Sequence, residues 1–204
     1  MKEVGVWKLD SLEKERVEYS QMPTDEDNGG KKVSNFSGEK EGNLASISAS
    51  ATALPLQDAC DDWFTYEPAN VVDGKPETAW QVSGTGVKQW IELKYDEPVK
   101  VKRVGIIPGY AKKDKCEGID RFYQRYVVRK ARIEFSDGSD VEANFEHKPE
   151  MKFVNVPDTE TTSLRVIILD SYPPGNRPGG SSFDYENDVT IGQAAISEIK
   201  VEGS

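Results

Sequence analysis

The sequence predicts an all-β chain that folds as an antiparallel β-sandwich behind a poorly structured N-terminal arm. Short apolar segments alternate with polar residues, and Gly, Pro, Asn and Asp separate these segments from one another. Helical periodicity of useful length is absent, and no strand–helix–strand alternation points to a parallel sheet. We therefore expect roughly seven or eight short strands packed as two antiparallel layers.

The first part of the chain differs in composition from the rest. Residues 1–43 are rich in charge, Gly, Ser and Asn, which predicts an arm or linker. Within the arm, the segment VGVWKL can form one short strand that docks on the main domain. The β-sandwich domain is then predicted to span residues 44–204.

Predicted strands follow one another through this domain. The strongest local signal is KARIEFSDGSDVEANF, where Asp137 and Gly138 separate two alternating apolar runs. Asp-Gly tolerates the positive φ that a tight hairpin turn requires, so a β-hairpin is expected there. The other predicted strands are NLASISASATAL, KQWIELKY, VKVKRVGIIPGY, MKFVNV, SLRVIILDSY and AAISEIKVEG.

Two connections are too long to be plain turns. They span residues 109–126 and 170–192, and both contain aromatic and charged side chains. Long loops on a rigid sandwich are where binding residues concentrate. We therefore look for a ligand in such loops.

Composition excludes several classes of partner. The formal net charge is −10 and the isoelectric point is about 4.8, so nucleic acid and anionic membrane surfaces would be repelled. No apolar run approaches the ~20 residues that a membrane-spanning helix needs. The start MKEVGVWKLD lacks the apolar core of a signal peptide. The chain is therefore either cytosolic or the mature or excised part of an exported protein.

The segment NVVDGKPETAW combines a tight turn with hard oxygen ligands. Asp73 and Gly74 form the turn, and the Asp73 carboxylate, the Thr78 hydroxyl and nearby carbonyls suit Ca²⁺. One loop rarely supplies all the ligands of that ion, so a distant carboxylate would have to complete the site. In the alternative interpretation, Asp73 and Thr78 satisfy amides of the turn and no ion is bound.

The order of several motifs resembles a known family. SASAT, PANVVDGKPETAW, QWIELKYDEPVKVKRVGI and AAISEIKVEG follow one another as in discoidin-like, or coagulation-factor type C, β-sandwiches. Within that superfamily, TAWQVSGTGVKQWIEL, PGYAK and RYVVRKARIEFSDGS resemble the translocation, or NADase-type glycan-binding, domain of secreted NAD glycohydrolases. The resemblance covers residues 44–204 and implies a jelly-roll sandwich with a galactose-binding-like fold.

The resemblance also implies roles for individual residues. Trp80 and Trp90 match tryptophans of the family's core, so both are expected to pack inside. Asp73, Thr78 and Glu198 match the ligands of a structural Ca²⁺, with Glu198 as the distant carboxylate. Such an ion would clamp the loop and would not take part in catalysis.

A glycan would bind where aromatic faces meet polar groups, since sugars stack on rings and hydrogen-bond through their hydroxyls. Candidates lie in three loops, which are CDDWFTYEP, residues 109–126 and SYPPGNRPGGSSFDYEND, and the first two contain the selected ligand residues. They are Trp63, Phe64, Tyr66, Tyr110, Arg121, Tyr123 and Arg125. In a discoidin-like sandwich the first two loops can converge at one rim, which would allow Cys60 and Cys116 to form a disulfide there. Two free cysteines are the alternative.

The residues give little support for catalysis. The single histidine, His147, lies in a polar turn and is expected to be solvated, and no Gly-x-Ser-x-Gly elbow is present. Loop acids that could flank a sugar are Asp61, Asp62, Asp184, Glu186 and Asp188.

We predict a non-catalytic carbohydrate-binding module of a larger protein that is extracellular, on the cell surface or periplasmic. Its partner would be a glycan or glycoprotein, without nucleic-acid binding or direct membrane insertion. The alternative is a structural or protein-interaction domain that docks on another protein subunit.

Overall fold

The structure, a computed structural model, describes residues 36–37, 44–57, 63–175 and 192–203, with residues 36–37 described by their backbone. It confirms the all-β prediction. The strands are β1 Phe36–Ser37, β2 Leu44–Ala49, β3 Leu56–Gln57, β4 Trp63–Phe64, β5 Trp80–Ser83, β6 Trp90–Ile107, β7 Lys113–Asp114, β8 Ile119–Asp120, β9 Tyr126–Phe135, β10 Asp140–Asn144, β11 Lys152–Tyr172, β12 Gln193–Ile196 and β13 Glu198–Glu202. The helical segments in these ranges are a 3₁₀ helix, Pro68–Val72, and a single α-helical turn, α1, Arg121–Gln124.

Among the described residues, nine strands form one curled sheet, and the β-sandwich fold is confirmed. The main path through the sheet is β1-β13-β6-β11-β9-β12-β5, with β10 on β9 and β2 on β6. Most pairs are antiparallel, while β1–β13 and β12–β9 are parallel. Apolar side chains from both layers meet in one core.

Two strands are much longer than the sequence pattern predicts. β6 joins KQWIELKY to VKVKRVGII, and β11 joins MKFVNV to SLRVIILDSY. Each long strand contains a proline, which lacks the amide hydrogen that a sheet ladder needs. Pro98 and Pro157 fall where the β6–β11 register skips residues, so no ladder bond is lost. These irregularities let each long strand bend and serve both layers.

The predicted hairpin at Asp137–Gly138 is confirmed. β9 and β10 pair from Glu134 opposite Asp140, and Gly138 has a φ of +84°. The Gly138 amide donates to the carbonyl of Phe135 over 3.0 Å. Local turn chemistry therefore determined this element.

The two matched tryptophans have different environments. Trp80 is fully buried, and its indole donates to the carbonyl of Ala51 over 2.9 Å. Trp90 is half-buried, with the Arg165 guanidinium 4.5 Å above its ring. Its neighbour Ile91 points into the core, so alternation along the strand turns Trp90 outward. The expected core position is therefore found only for Trp80.

Most of the arm lies outside the described residues, including the segment VGVWKL. The described part of the arm is β1, whose backbone runs parallel to Val201 and Glu202 of β13. Within the described ranges, no helix has the length and apolar character needed to cross a bilayer.

Candidate functional site

The corner at Asp73 is organised by hydrogen bonds within its own turn. The 3₁₀ helix ends at Asp73, and Gly74 follows with a φ of +75°, which glycine adopts without strain. The Asp73 carboxylate accepts from the Lys75 amide over 2.9 Å. The Thr78 hydroxyl lies 2.9 and 3.0 Å from the two carboxylate oxygens. Asp73 and Thr78 therefore meet as the sequence predicted.

Glu198, at the start of β13, completes the predicted group. Its side chain is buried and lies beside Asp73, and its Oε1 atom has no hydrogen-bond partner in the described part of the chain. Burial and the Asp73 carboxylate raise the pKa of Glu198 to about 8, although the amides of Gly74 and Lys75 act in the opposite direction. Two carboxyl groups thus share a buried corner.

A serine ties this corner to the last strands and to the long loop at 109–126. The Ser197 hydroxyl donates to the carbonyl of Pro76 over 2.8 Å and accepts from the Ala111 amide over 3.0 Å. The turn, the junction of β12 and β13 and the start of the long loop are therefore held together by one side chain.

The corner offers a small set of hard oxygen ligands. No three His, Cys, Asp or Glu side chains converge on a possible metal position anywhere in the described ranges. The donors available are the carboxylates of Asp73 and Glu198, the Thr78 hydroxyl and backbone carbonyls such as that of Lys75. Such a set fits a hard cation such as Ca²⁺, and the unpartnered buried Glu198 oxygen is the atom that a cation would satisfy.

A second group of residues forms a partly exposed patch, here called the rim patch: Trp63, Phe64 and Lys112. Trp63 and Phe64 form β4, which pairs with β3, and both side chains are half-buried. The Lys112 ammonium lies 3.3 Å from the centroid of the Phe64 ring, a cation–π contact. Apolar surface and a fixed positive charge are therefore presented together. Leu54, two residues before β3, is 78% exposed.

Two predicted ligand residues are buried beneath this patch. Tyr66 and Tyr110 keep 1% and 3% of their surface exposed, and their rings meet edge to face with centroids 6.4 Å apart. Burial raises the pKa of Tyr110 far above its usual value. Little of either ring is accessible to a ligand, so the two tyrosines are placed to stabilise the loops by packing.

The two predicted arginines are also buried, inside the long loop. Arg121 donates to the Asp114 carboxylate over 3.2 and 2.7 Å and to Glu117 over 2.7 Å. Arg121 and Arg125 both donate to the amide oxygen of Gln124, over 2.8 and 3.1 Å. Hydrogen bonds from these guanidinium groups therefore stabilise the conformation of the loop.

Asp114 is the acceptor at the centre of this loop. Burial opposes ionisation, but hydrogen bonds from Arg121, Glu117 and Cys116 outweigh it and lower the pKa of Asp114. Cys116 takes part in a disulfide. Cys60 lies outside the described residues, so its predicted pairing with Cys116 stays a prediction.

Tyr123 belongs to an aromatic cluster around the only histidine. The His147 ring stacks on Tyr172 at 5.1 Å and lies 5.3 and 5.5 Å from Tyr123 and Phe122. His147 is half-buried there, so the expectation of a solvated loop residue is wrong. The end of β11 folds back over this turn, where the Tyr172 hydroxyl donates to the carbonyl of Phe145 over 3.1 Å.

A cleft of about 500 Å³ lies between the Asp73 corner, the long loop and the turn at 145–151. Its lining residues are Pro76, Ala111, Lys113, Asp120, Pro149 and Glu150. This volume is in the range of small-ligand sites. The predicted loop acids Asp61, Asp62, Asp184, Glu186 and Asp188 lie outside the described residues.

Sequence reasoning missed Lys112, Asp114 and Leu54. Lys112 and Asp114 lie in a run of charged residues, which is typical of a solvated loop. Only the fold places Lys112 against Phe64 and Asp114 against Arg121. Leu54 ended a predicted strand in the sequence pattern but lies in a loop. No signal in the local sequence shows which of these charges face inward.

Residues 39–176 match the family model of the NAD glycohydrolase translocation F5/8 type C domain. No curated protein matches the chain.

Several solved structures share its fold. A pectin-binding carbohydrate-binding module is 17% identical, with 78% of this chain and 91% of the module covered and a TM-score of 0.47. The family 32 module of NanJ from C. perfringens, in complex with galactose, is 16% identical, with 76% and 91% covered and a TM-score of 0.47. The arabinofuranosyltransferase AftD from Mycobacteria is 20% identical, with 77% of this chain and 11% of AftD covered and a TM-score of 0.50. At such identities the likeness concerns the fold alone.

Proposed function

Because the chain belongs to the NAD glycohydrolase translocation F5/8 type C domain family, we propose that it is a non-catalytic carbohydrate-binding module of a larger secreted or surface protein. The glycan would be held by the loops at one rim of the sandwich. The observation that carries this proposal is the rim patch, which presents two half-buried aromatic side chains and a fixed ammonium group to solvent.

The rim combines the two kinds of surface that sugars need. Trp63 and Phe64 offer ring surface for stacking, while Lys112 and the polar side chains of the neighbouring cleft offer hydrogen bonds. The buried predicted residues, Tyr66 and Tyr110 among them, would act by fixing the loops in place. A pre-formed rim reduces the entropy lost on binding.

The non-catalytic assignment rests on where the chemistry-bearing groups lie. Asp73 and Glu198 form the carboxyl pair described above, and neither of them lines the cleft. Of the two acids that do line it, Asp120 accepts from the Phe122 amide and Glu150 is exposed to solvent. His147 is held among aromatic rings. A glycosidase needs its two carboxyl groups on either side of an accessible sugar bond.

Binding to a broad glycan panel by affinity electrophoresis and calorimetry tests this function. Trp63→Ala and Phe64→Ala should each weaken binding about tenfold, because each removes an exposed ring. Phe153→Ala is the matched control, since Phe153 is also half-buried and carries a cation, Arg103, at 4.4 Å from its centroid on the sheet. Failure to bind any glycan, or equal losses in all three variants, would contradict the proposal.

We also propose that Ca²⁺ occupies the Asp73 corner as a structural ion. Asp73, Thr78 and Glu198 would hold it, together with main-chain carbonyls, and it would neutralise two adjacent carboxylates. The ion would fix the turn that lines one side of the cleft through Pro76.

A second function is favoured by one observation. Leu54, two residues before β3, is 78% exposed, and a large apolar side chain at the surface suits docking of another protein subunit. Cross-linking of the full-length protein should then join residues near Leu54 to a partner, and Leu54→Ser should abolish the cross-link. Unchanged cross-links in Leu54→Ser would leave glycan binding as the sole proposed function.

A further inference from the structure

Building on the proposed glycan-binding function, we propose that the glycan is anionic. Lys112, Lys113 and Lys115 would recognise its carboxylate or sulfate groups. These lysines lie on and beside the β7–β8 hairpin, next to the rim patch and the cleft.

The charge of the long loop differs in sign from that of the chain. Residues 109–126 contain five basic and three acidic side chains, a net charge of +2, while the whole chain has a net charge of −10. A locally positive loop on a negative domain favours an anionic ligand at that loop and repels anions elsewhere.

The acidic side chains of this loop are already engaged. Asp114 and Glu117 both pair with Arg121, and the Asp114 carboxylate is buried. The Asp120 carboxylate accepts from the Phe122 amide over 3.2 Å at the start of α1. The solvent-facing charge of the hairpin is therefore mainly that of its lysines.

The hairpin lysines differ from two lysines on the sheet that are already paired. Lys94 and Lys130 each pair with a glutamate, at 3.3 and 2.6 Å. Within the described ranges, Lys113 and Lys115 make no such ion pair, and both are exposed. Lys113 lines the cleft of about 500 Å³.

Lys112 adds a geometric argument. Its ammonium lies over one face of the Phe64 ring, 3.3 Å from the centroid. The ring holds that charge at a defined point, so an acidic group of a glycan meets a pre-organised cation. Residues 112–115 span about 10 Å, which is within one Debye length at 0.1 M salt, so the three charges act together.

The test compares glycans that differ only in charge. Binding of the full chain to oligogalacturonides would be measured against the same oligomers after reduction of their carboxyl groups. Chondroitin sulfate and desulfated chondroitin form a second pair that separates sulfate from carboxylate recognition. The charged member of at least one pair should bind about tenfold more tightly at low salt, and the advantage should fall as salt rises.

The lysines are tested with a triple variant and a matched control. Lys112→Gln/Lys113→Gln/Lys115→Gln should lose the preference for the charged member and keep binding of the neutral member within about twofold. Lys94→Gln/Lys100→Gln/Lys102→Gln removes the same charge from exposed positions of β6 and should keep the preference. Equal binding of charged and neutral oligomers, or a preference that survives the hairpin triple variant, would overturn the inference but leave glycan binding intact. Binding of neither kind would overturn the proposed function itself.

Discussion

Asp114 and Glu198 are both buried carboxyl groups, with 4% and 6% of their surface exposed, but their surroundings are opposite. Asp114 lies against a guanidinium and two backbone amides, which lower its pKa. Glu198 lies against a second carboxylate, and its pKa is raised to about 8. The charge of Asp114 is therefore compensated by a neighbouring cation, whereas no cation among the described residues compensates the carboxyl pair of Glu198 and Asp73.

The difference shows how the two regions would respond to their environment. The β7–β8 hairpin is held by its own ion pair, so its shape should be independent of metal ions. The Asp73 corner offers oxygen ligands and an unpartnered buried oxygen, so its stability should depend on a cation and on pH.

The largest effect is expected from removing the Arg121 guanidinium, which pairs with Asp114 in the β7–β8 hairpin. Arg121→Met should lower the free energy of unfolding by about 3–5 kcal/mol, because it leaves the Asp114 carboxylate buried and unpaired. Urea denaturation measures this, with Arg132→Met as control, which should cost far less because Arg132 pairs with Glu142 at the surface. Equal costs for the two variants would mean that Asp114 does not depend on Arg121.

Addition of Ca²⁺ should stabilise the Asp73 corner. At a hundredfold excess over its dissociation constant, Ca²⁺ should raise the free energy of unfolding by about 2.7 kcal/mol. Thermal denaturation with and without a chelator measures this shift. Glu198→Gln should abolish it, whereas Glu142→Gln, an exposed carboxylate on β10, should keep it. If Ca²⁺ does not change the thermal stability of the wild-type protein, the proposed ion is refuted.

In the chelated protein the two carboxyl groups should respond to pH in opposite directions. The folded pKa of Glu198 lies above its ordinary value of 4.5, so stability should fall as pH rises from about 4.5 to about 8. The slope cannot exceed about 1.4 kcal/mol per pH unit for one group. The Asp114 pKa is lowered, so its contribution should be lost as pH falls below the usual range. Urea midpoints across this range should flatten above pH 4.5 in Glu198→Gln, and an unchanged slope would refute the assignment.

The smallest effect is expected at the contact between the hairpin and the rim patch. Lys112→Met should cost about 0.5–1 kcal/mol of stability through loss of the cation–π contact with Phe64. Lys113→Met removes an exposed lysine that contacts no aromatic ring in the described part of the chain, and should change stability by no more than about 0.5 kcal/mol. Identical urea midpoints for the two variants would show that Phe64 does not need the ammonium.

Local patterns predicted much of this molecule. The alternation around Asp137–Gly138 predicted a hairpin correctly, because two-residue turn chemistry and period-two burial act over a few neighbours. Asp73 and Thr78 followed from the local chemistry of their turn, but Glu198 was found through a family resemblance, since no local rule connects positions more than a hundred residues apart. Local patterns did not predict that β6 and β11 continue through Pro98 and Pro157. The register with the partner strand decides whether a missing amide costs a hydrogen bond.

The sequence by itself determined the fold class, the hairpin and the residues of the Asp73 corner, because each depends on short-range periodicity or on motifs that survive in order. Only the tertiary structure decided which side chains face the solvent. Tyr66 and Arg125 carry chemistry suited to a ligand but are buried, whereas Lys112 lies over Phe64 in the rim patch and Leu54 is largely exposed. The physical reason is that burial and charge pairing are set by contacts between distant segments, and a residue's type does not say which neighbours it will meet.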